Sequence, residues 1–290
     1  MDLSIVIVNY NAGKHLVGCL ESLSRHLANV SHEICVVDNA SSDGNLEMLR
    51  TRFREVKLLA NSINRGFAAA LNQGLRETAG TFVLWLNPDA ELLDDGFQTL
   101  LEFLEKNPSV GVLGPQLVNP DGSRQLSCRS FPSYQTALFH RYSVLTRLFP
   151  NNRYSRQYLH SDWAPDGIQE TDWVSGACLL HRRSVLEKLG GLDEQFFMYC
   201  EDVDFCLRTR RAGWSVRYHP GARVLHRIGA SSRQVAGRMI VERHRSMWRY
   251  YAKNFHRNPV MDMLVGLGIA SRCGFLLIGE SLGRLCLRKR

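Results

Sequence analysis

With 290 residues, 44% of them apolar and 22% charged, the chain is long enough to bury a full core as one large α/β domain, or one domain with an appendage, without metal or disulfide staples. Its eight cysteines are scattered and lack any C-x-x-C pair, which argues against a zinc set or a disulfide framework and for reduced thiols. The net charge of +8 is uneven: residues 207–290 hold 18 Lys/Arg against 3 Asp/Glu, a net +15 that leaves −7 for residues 1–206, so the last third should meet an acidic partner such as anionic lipid, diphosphate or nucleic acid.

The N-terminus has no basic segment, and its apolar run Ile5–Val8 is far too short for a signal peptide, so a cytoplasmic location is expected. Leu3–Val8 and Glu33–Asp38 read as buried strands. Between them Leu16, Leu20, Leu23 and Leu27 recur at spacings of four, three and four, one face of a helix. Val56–Ala60 and Phe82–Leu86 continue the strand series, with a helix predicted around Phe67–Arg76 between them. A further helix over Gly96–Lys106 ends at Asn107-Pro108. Such alternation predicts a parallel sheet with right-handed crossovers, whose ligands bind at the carboxyl ends of the strands.

That rule gives meaning to the polar strand ends. Asn9-Tyr10-Asn11 follows the first strand and Asp38-Asn39-Ala40-Ser41-Ser42-Asp43-Gly44 the second, so both should face one crevice. Asp38 is suited to accept hydrogen bonds from a base or ribose, whereas Ser41, Ser42 and Asp43 also suit the start of the next helix. In Asn64-Arg65-Gly66-Phe67 the glycine permits close approach of a ligand or simply a turn. Leu86-Asn87-Pro88-Asp89 ends the fourth strand with a carboxylate at its tip, suited to a divalent cation bridging a diphosphate.

These four segments, together with Asn72, resemble the nucleotide-sugar half of family 2 glycosyltransferases, within it the rhamnosyltransferase-type subgroup. Trp173-Val174-Ser175-Gly176-Ala177 is similar to the acceptor-side segment of that family, and Phe196-Phe197-Met198-Tyr199-Cys200-Glu201-Asp202-Val203-Asp204 to the segment that carries its catalytic base. The resemblance spans about residues 3–230. It implies a GT-A nucleotide-diphospho-sugar transferase fold, a Rossmann-like and mostly parallel sheet, divided into a nucleotide-sugar-binding half (1–120) and an acceptor and catalytic half (121–230). It further implies inverting transfer, with Asn9, Tyr10, Asn11, Asp38, Asn64, Gly66 and Asn87 on the donor and Trp173, Ser175 and Gly176 on the acceptor. Asp89 matches the last carboxylate of the family's D-x-D signature, reduced here to Asn87-Pro88-Asp89, so a second metal ligand, His226, gains weight. Aspartate, imidazole, phosphate oxygens and water make an ordinary site for Mg²⁺ or Mn²⁺.

The acids Glu201, Asp202 and Asp204 cannot all share one direction on a helix and must divide between tasks. By match to the motif Asp202 is the general base, with Glu201 orienting acceptor or base. Asp204 caps the helix or pairs with Arg208 at i+4. A solvated helix start would also use three acids, but the preceding Phe196, Phe197, Met198 and Tyr199 argue for an apolar wall that raises a carboxylate's pKa.

Residues 231–290 read as a basic amphipathic helical extension. A helix over Gln234–Phe255 is followed by apolar stretches over 260–288 whose longest charge-free run, Met263–Ser271, is nine residues, well below the roughly 18 that span a bilayer. An interfacial helix with Arg288-Lys289-Arg290 on lipid phosphates is expected, which would hold the protein to the inner face of the cell membrane. The alternative is a core helix or the contact of a homo-oligomer. The expected activity is transfer of L-rhamnose from dTDP-L-rhamnose to a glycan or lipid-diphosphate-linked saccharide. A UDP-galactofuranose or UDP-hexose donor is the rival. Processive synthases are disfavoured by the lack of a Q-x-x-R-W element. A nucleic-acid-binding protein would explain the basic third but not Asp38, Asp89 and Asp202 in one crevice, where polymer phosphates would be repelled.

Overall fold

The computed structural model describes residues 2–133, 166–228, 236–255 and 258–287, with Leu148, Arg156, Tyr158 and His160 between the first two spans. The first half alternates as predicted: β1 (Leu3–Asn9), α1 (Lys14–His26), β2 (His32–Asp38), α2 (Asn45–Arg52), β3 (Lys57–Ala60), α3 (Phe67–Arg76) and β4 (Phe82–Leu86). There follow β5 (Ala90–Leu92), α4 (Phe97–Lys106), β6 (Val110–Val118), β7 (Cys128–Arg129), β8 (Gln169–Thr171), β9 (Trp173–Val174) and β10 (Cys178–Arg182). The chain closes with α5 (Arg183–Leu189), α6 (Glu201–Arg211), β11 (Ser215–His226), α7 (Ala236–Asn254) and α8 (Pro259–Leu287).

The main sheet has the order β3-β2-β1-β4-β10-β6-β11-β5, with β8 also paired to β11. Strands β1, β2, β3, β4, β6 and β11 run in one direction, while β10, β5 and β8 run against them. Both faces are covered, so strand residues divide by parity: Leu3, Ile5 and Ile7 enter one core with α1 and α4, and Val6 and Val8 enter the other with α3 and α6. This is the GT-A architecture, α/β with a mostly parallel sheet and a C-terminal helical extension.

Strand β6, in the middle of the sheet, has no counterpart among the predicted elements, and its apolar run is interrupted by Gly111, Gly114 and Pro115. Close packing demands the glycines: a Cβ on Gly111 would lie 2.7 Å from Trp214 Cβ, and one on Gly114 2.7 Å from Val174 Cβ.

The extension is two helices with different attachments. Helix α7 belongs to the transferase body: Tyr250 enters the second core, and Lys253 reaches the fully buried Asp204, with Nζ 2.8 Å from Oδ1. Helix α8 rests chiefly on α7 and is one unbroken helix. Its segment Pro259–Leu282, 24 residues, is long and apolar enough to cross a membrane, and none of it is buried in the protein. Counting only charge-free runs underrates it, because its charges turn inward: Tyr251 donates to Asp262 Oδ1 at 2.8 Å, and Arg272 Nη1 lies 3.4 Å from Met247 Sδ. Arg288-Lys289-Arg290 and the expected domain boundary at 230/231 lie outside the described residues.

Candidate active site

The carboxyl ends of the parallel neighbours β1, β2 and β4 lie on one edge of the sheet. Asn9 and Asp38 are register partners, both fully buried, and Asn9 Nδ2 donates to Asp38 Oδ1 at 2.7 Å. The other Asp38 oxygen accepts from Ser41 N at 2.9 Å, while Asn11 Oδ1 accepts from Ser42 N at 2.8 Å. Both Asp38 oxygens are therefore engaged within the protein, so the carboxylate holds two loops in register. Asn11 (φ 50°) and Ala40 (φ 66°) adopt left-handed conformations, a strained geometry that such a network sustains. Tyr10 is half-buried at the rim.

Asn39, absent from the predicted site although it stands in the motif, is the hub to the next loop. Its Nδ2 donates to Asn64 Oδ1 at 2.9 Å and Gly66 O at 3.1 Å, and its Oδ1 accepts from Arg65 N at 2.9 Å. Gly66 (φ 87°) brings this loop against the catalytic segment: a Cβ there would sit 2.6 Å from Phe197 O, and Phe67 N donates to that carbonyl at 2.6 Å. The close approach that requires this glycine is thus to protein backbone. Asn72 secures the same region, donating to Leu192 O at 2.9 Å and accepting from Leu192 N at 2.9 Å.

Asn87 and Asp89 follow β4, and pairing of β5 with β11 sets Ala90 opposite His226, which brings the two predicted metal ligands together. His226 Nε2 is 3.6 Å from Asp89 Oδ1, both side chains about one-tenth exposed. Gln125, which no sequence signal marked, fixes the imidazole. Its Nε2 donates to His226 O at 2.7 Å, so its Oε1, 3.0 Å from His226 Nδ1, must accept from that nitrogen, leaving the Nε2 lone pair toward Asp89. Burial lowers the pKa of His226, against the raising effect of Asp89. A neutral imidazole and a carboxylate, both electron-pair donors facing one gap, fit a divalent cation better than they fit each other. Among the described residues no third His, Cys, Asp or Glu joins them, so the remaining coordination positions fall to ligand oxygens and water.

The acids of α6 divide as their spacing requires. Asp204 pairs with Arg208 at 2.7 Å and with Lys253, a purely structural role. Asp202, half-buried, accepts from Gly176 N at 2.9 Å through Oδ2 and from Val203 N at 2.8 Å through Oδ1. Gly176 is therefore an orienting donor to Asp202, and a Cβ on it would approach Asp202 Cβ to 3.2 Å. Burial raises the Asp202 pKa, opposed by those two N–H groups and by the charge of Arg129. Glu201 is buried, its Oε2 has no hydrogen-bond partner among the described residues, and burial followed by the Asp202 charge pushes its pKa well above the usual range. Burial thus raises the pKa of both members of the adjacent pair, and that of Asp202 is the one opposed by two N–H donors and a cation.

Trp173, buried, donates through Nε1 to Ser130 O at 2.9 Å and stacks under the Arg129 guanidinium, 5.0 Å from the ring centroid. Its polar atom is occupied within the protein, and its ring carries Arg129. Ser175 is half-buried and its N–H bonds Ser127 O at 2.9 Å. The turn into α6 puts two non-glycine residues, Tyr199 (φ 70°) and Cys200 (φ 66°), in the left-handed region, each at a cost of about 1–3 kcal/mol. Helix α7 offsets it: Ser246 Oγ donates to Met198 O at 2.8 Å, and Arg243 lies over the Tyr199 ring, 4.6 Å from its centroid.

A mostly parallel sheet with linked strand-end loops, a carboxylate–imidazole pair and a helix that opens on three acids make the GT-A architecture of a transferase. The model of glycosyl transferase family 2 matches residues 4–190, and the chain belongs to this family. It is 33% identical to the N-acetylglucosaminyl-diphospho-decaprenol L-rhamnosyltransferase of Mycobacterium tuberculosis, over 99% of this chain and 96% of that one. Identity to rhamnosyltransferase WbbL of Escherichia coli is 24%, over 86% of this chain and 92% of the relative. The mannosyltransferase PcManGT of Pyrobaculum calidifontis, solved with GDP-Man and Mn2+, superposes with a TM-score of 0.59 at 17% identity, over 98% of this chain and 80% of its own, a likeness of fold.

Proposed function

We propose that this glycosyltransferase moves L-rhamnose from dTDP-L-rhamnose onto a lipid-diphosphate-linked saccharide at the inner face of the cell membrane, with inversion at the anomeric carbon. The observation that carries the reading is the 33% identity to a mycobacterial rhamnosyltransferase over nearly the whole length of both chains. In this mechanism the donor lies along the carboxyl ends of β1, β2 and β4. Asp202 takes the proton from the acceptor hydroxyl as that oxygen attacks C1 from the face opposite the diphosphate. Gly176 N–H and Val203 N–H fix the carboxylate, and they and the positive charge of Arg129 oppose the rise in its pKa that burial causes.

Asp89 and His226 would hold Mg²⁺ or Mn²⁺, which would neutralise charge on the departing diphosphate. The donor-facing gap between them and the Gln125 tether support this assignment.

Membrane attachment rests on α8. Val260, Met263, Leu264, Leu267, Phe275, Ile278 and Leu282 are 53–76% exposed and fall within a sector of about 120° at 100° per residue, while Asp262 and Arg272 lie outside it. A helix with an apolar outer face and its charges turned to the protein suits a bilayer. A UDP-linked donor sugar is the alternative within the same chemistry. Incubating the purified protein with a panel of dTDP-, UDP- and GDP-sugars and a prenyl-diphosphate-linked N-acetylglucosamine tests the reading. Product from dTDP-rhamnose alone supports it, and product from UDP-sugars only removes it.

A further inference from the structure

One cationic feature lies outside the donor residues. In the seam between α7 and α8, Arg272 on α8 lies against Met247, one turn along α7 from the exposed Arg243, which stands beside the turn that leads into α6. Arg243 stands over the Tyr199 ring at 4.6 Å, two residues before Glu201. Its charge is felt at both Cys200 and Arg272. Among the described residues neither arginine has a carboxylate partner. Arg272 is half-buried, and among the described residues its hydrogen-bond partner is Met247 Sδ at 3.4 Å. The buried ring of His244 is close enough to feel both charges and brings no negative charge of its own. Burial and the charge of Arg243 both lower the Arg272 pKa.

Some other cations of α7 and α6 meet acids, Arg245 with Glu242, Lys253 with Asp193 and Asp204, and Arg208 with Asp204, whereas Arg249 donates to the Gln195 carbonyl and Arg238 lies over the Phe197 ring. Two guanidinium groups brought together without an acid repel each other, and each offers five planar donors suited to phosphate. The seam also has the right neighbours. On one side stands the turn into the catalytic helix, on the other the helix whose outer face is apolar. A ligand bound here would have its anionic part between the sugar-transfer site and a lipid phase.

We propose that Arg243 and Arg272 form the diphosphate subsite for the lipid-linked acceptor, holding its headgroup while the saccharide beyond it reaches Asp202 and the prenyl chain leaves along α8. This rests on the reading that the acceptor is a lipid diphosphate. The arginines then act on the acceptor and not on the donor, whose diphosphate lies at Asp89 and His226 across the crevice.

The test uses the full chain in neutral detergent and four measurements on wild type and on Arg243→Gln, Arg272→Gln and the double variant. These are affinity for a short-chain prenyl diphosphate, for inorganic pyrophosphate and for dTDP, and partition into phosphatidylcholine vesicles. Loss of one charge-assisted contact to phosphate should weaken the prenyl diphosphate on the order of tenfold or more per arginine, and pyrophosphate in parallel, with dTDP affinity and vesicle partition held. Weakening of the prenyl diphosphate without pyrophosphate would identify the lipid-bearing ligand as the one the seam takes, and would equally support the subsite. Unchanged prenyl diphosphate affinity in the folded double variant would overturn it, as would equal losses for dTDP. Retained diphosphate binding by wild type with no sugar transfer to any prenyl diphosphate would sink the proposed function while the subsite stands.

Discussion

Replacing Asp202 by Asn separates binding from chemistry at one position, and the structure fixes what each part should lose. The carboxylate accepts two backbone bonds, from Gly176 N and Val203 N. An amide has one acceptor oxygen, so one of these N–H groups would face an NH₂. Leaving such a donor unmet costs about 1–3 kcal/mol, which should appear as a modest fall in thermal stability. The chemical loss should be larger, since a general base contributes about 10²- to 10⁴-fold. kcat at saturating donor and acceptor should fall by that much, and donor Kd should stay within about twofold. The base works ionised, and burial raises its pKa, so the acidic limb of the kcat profile should lie above the ordinary aspartate range. Arg129 opposes that rise, so Arg129→Gln should move the limb to still higher pH. Near-normal kcat in Asp202→Asn beside an inactive Glu201→Gln would put the base on the other carboxylate and refute the reasoning.

Glu201 offers an independent test through stability. Its pKa in the folded protein is raised by burial and by Asp202, so the stability linked to its protonation is full below its unfolded pKa of about 4.3 and is lost as pH rises through the folded value. Glu201→Gln should therefore raise Tm at neutral pH and leave it unchanged near pH 4; a lower Tm at pH 7 would contradict the assignment. For the metal, EDTA should abolish transfer. Asp89→Ala and His226→Ala should raise the Mn²⁺ needed for half activity, and Gln125→Ala should do so by about 10- to 100-fold through the imidazole it orients; full activity in EDTA would end the role of all three. For the membrane, Leu264→Glu with Leu267→Glu should release the protein from vesicles and leave donor hydrolysis intact, because α8 touches α7 and not the crevice. Unchanged flotation would place attachment elsewhere.

The alternating first half was legible because its signals are local. Leucines at helical spacing gave α1, and short apolar runs with polar ends gave β1, β2 and β4. The crevice was legible for the same reason, since a parallel sheet orders its strand ends. Strand β6 was not, because glycines that permit close packing against Trp214 and Val174 carry the same letters as glycines in turns. Asp38 shows a subtler limit. The sequence marked Asp38 as a ligand residue, and the pairing of β1 with β2, which sets Asn9 beside it, adds a loop contact that no local pattern marked. Gln125 and Arg129 act on the site from segments distant in sequence from His226 and Asp202. No local pattern announces such partners. The ion pair between Asp204 and Lys253 joins the extension to the catalytic helix, a contact that the charge count alone did not distinguish from a solvated surface.

The central claim is the identity of the transferred group, and product analysis decides it. Purified protein, dTDP-L-rhamnose, Mg²⁺ or Mn²⁺ and a prenyl-diphosphate-linked N-acetylglucosamine in neutral detergent should give a lipid-linked disaccharide with inverted anomeric configuration at the new rhamnosyl bond. The Asp202→Asn protein should give almost none. Retained configuration, or transfer from UDP-sugars with dTDP-rhamnose inert, would contradict the account.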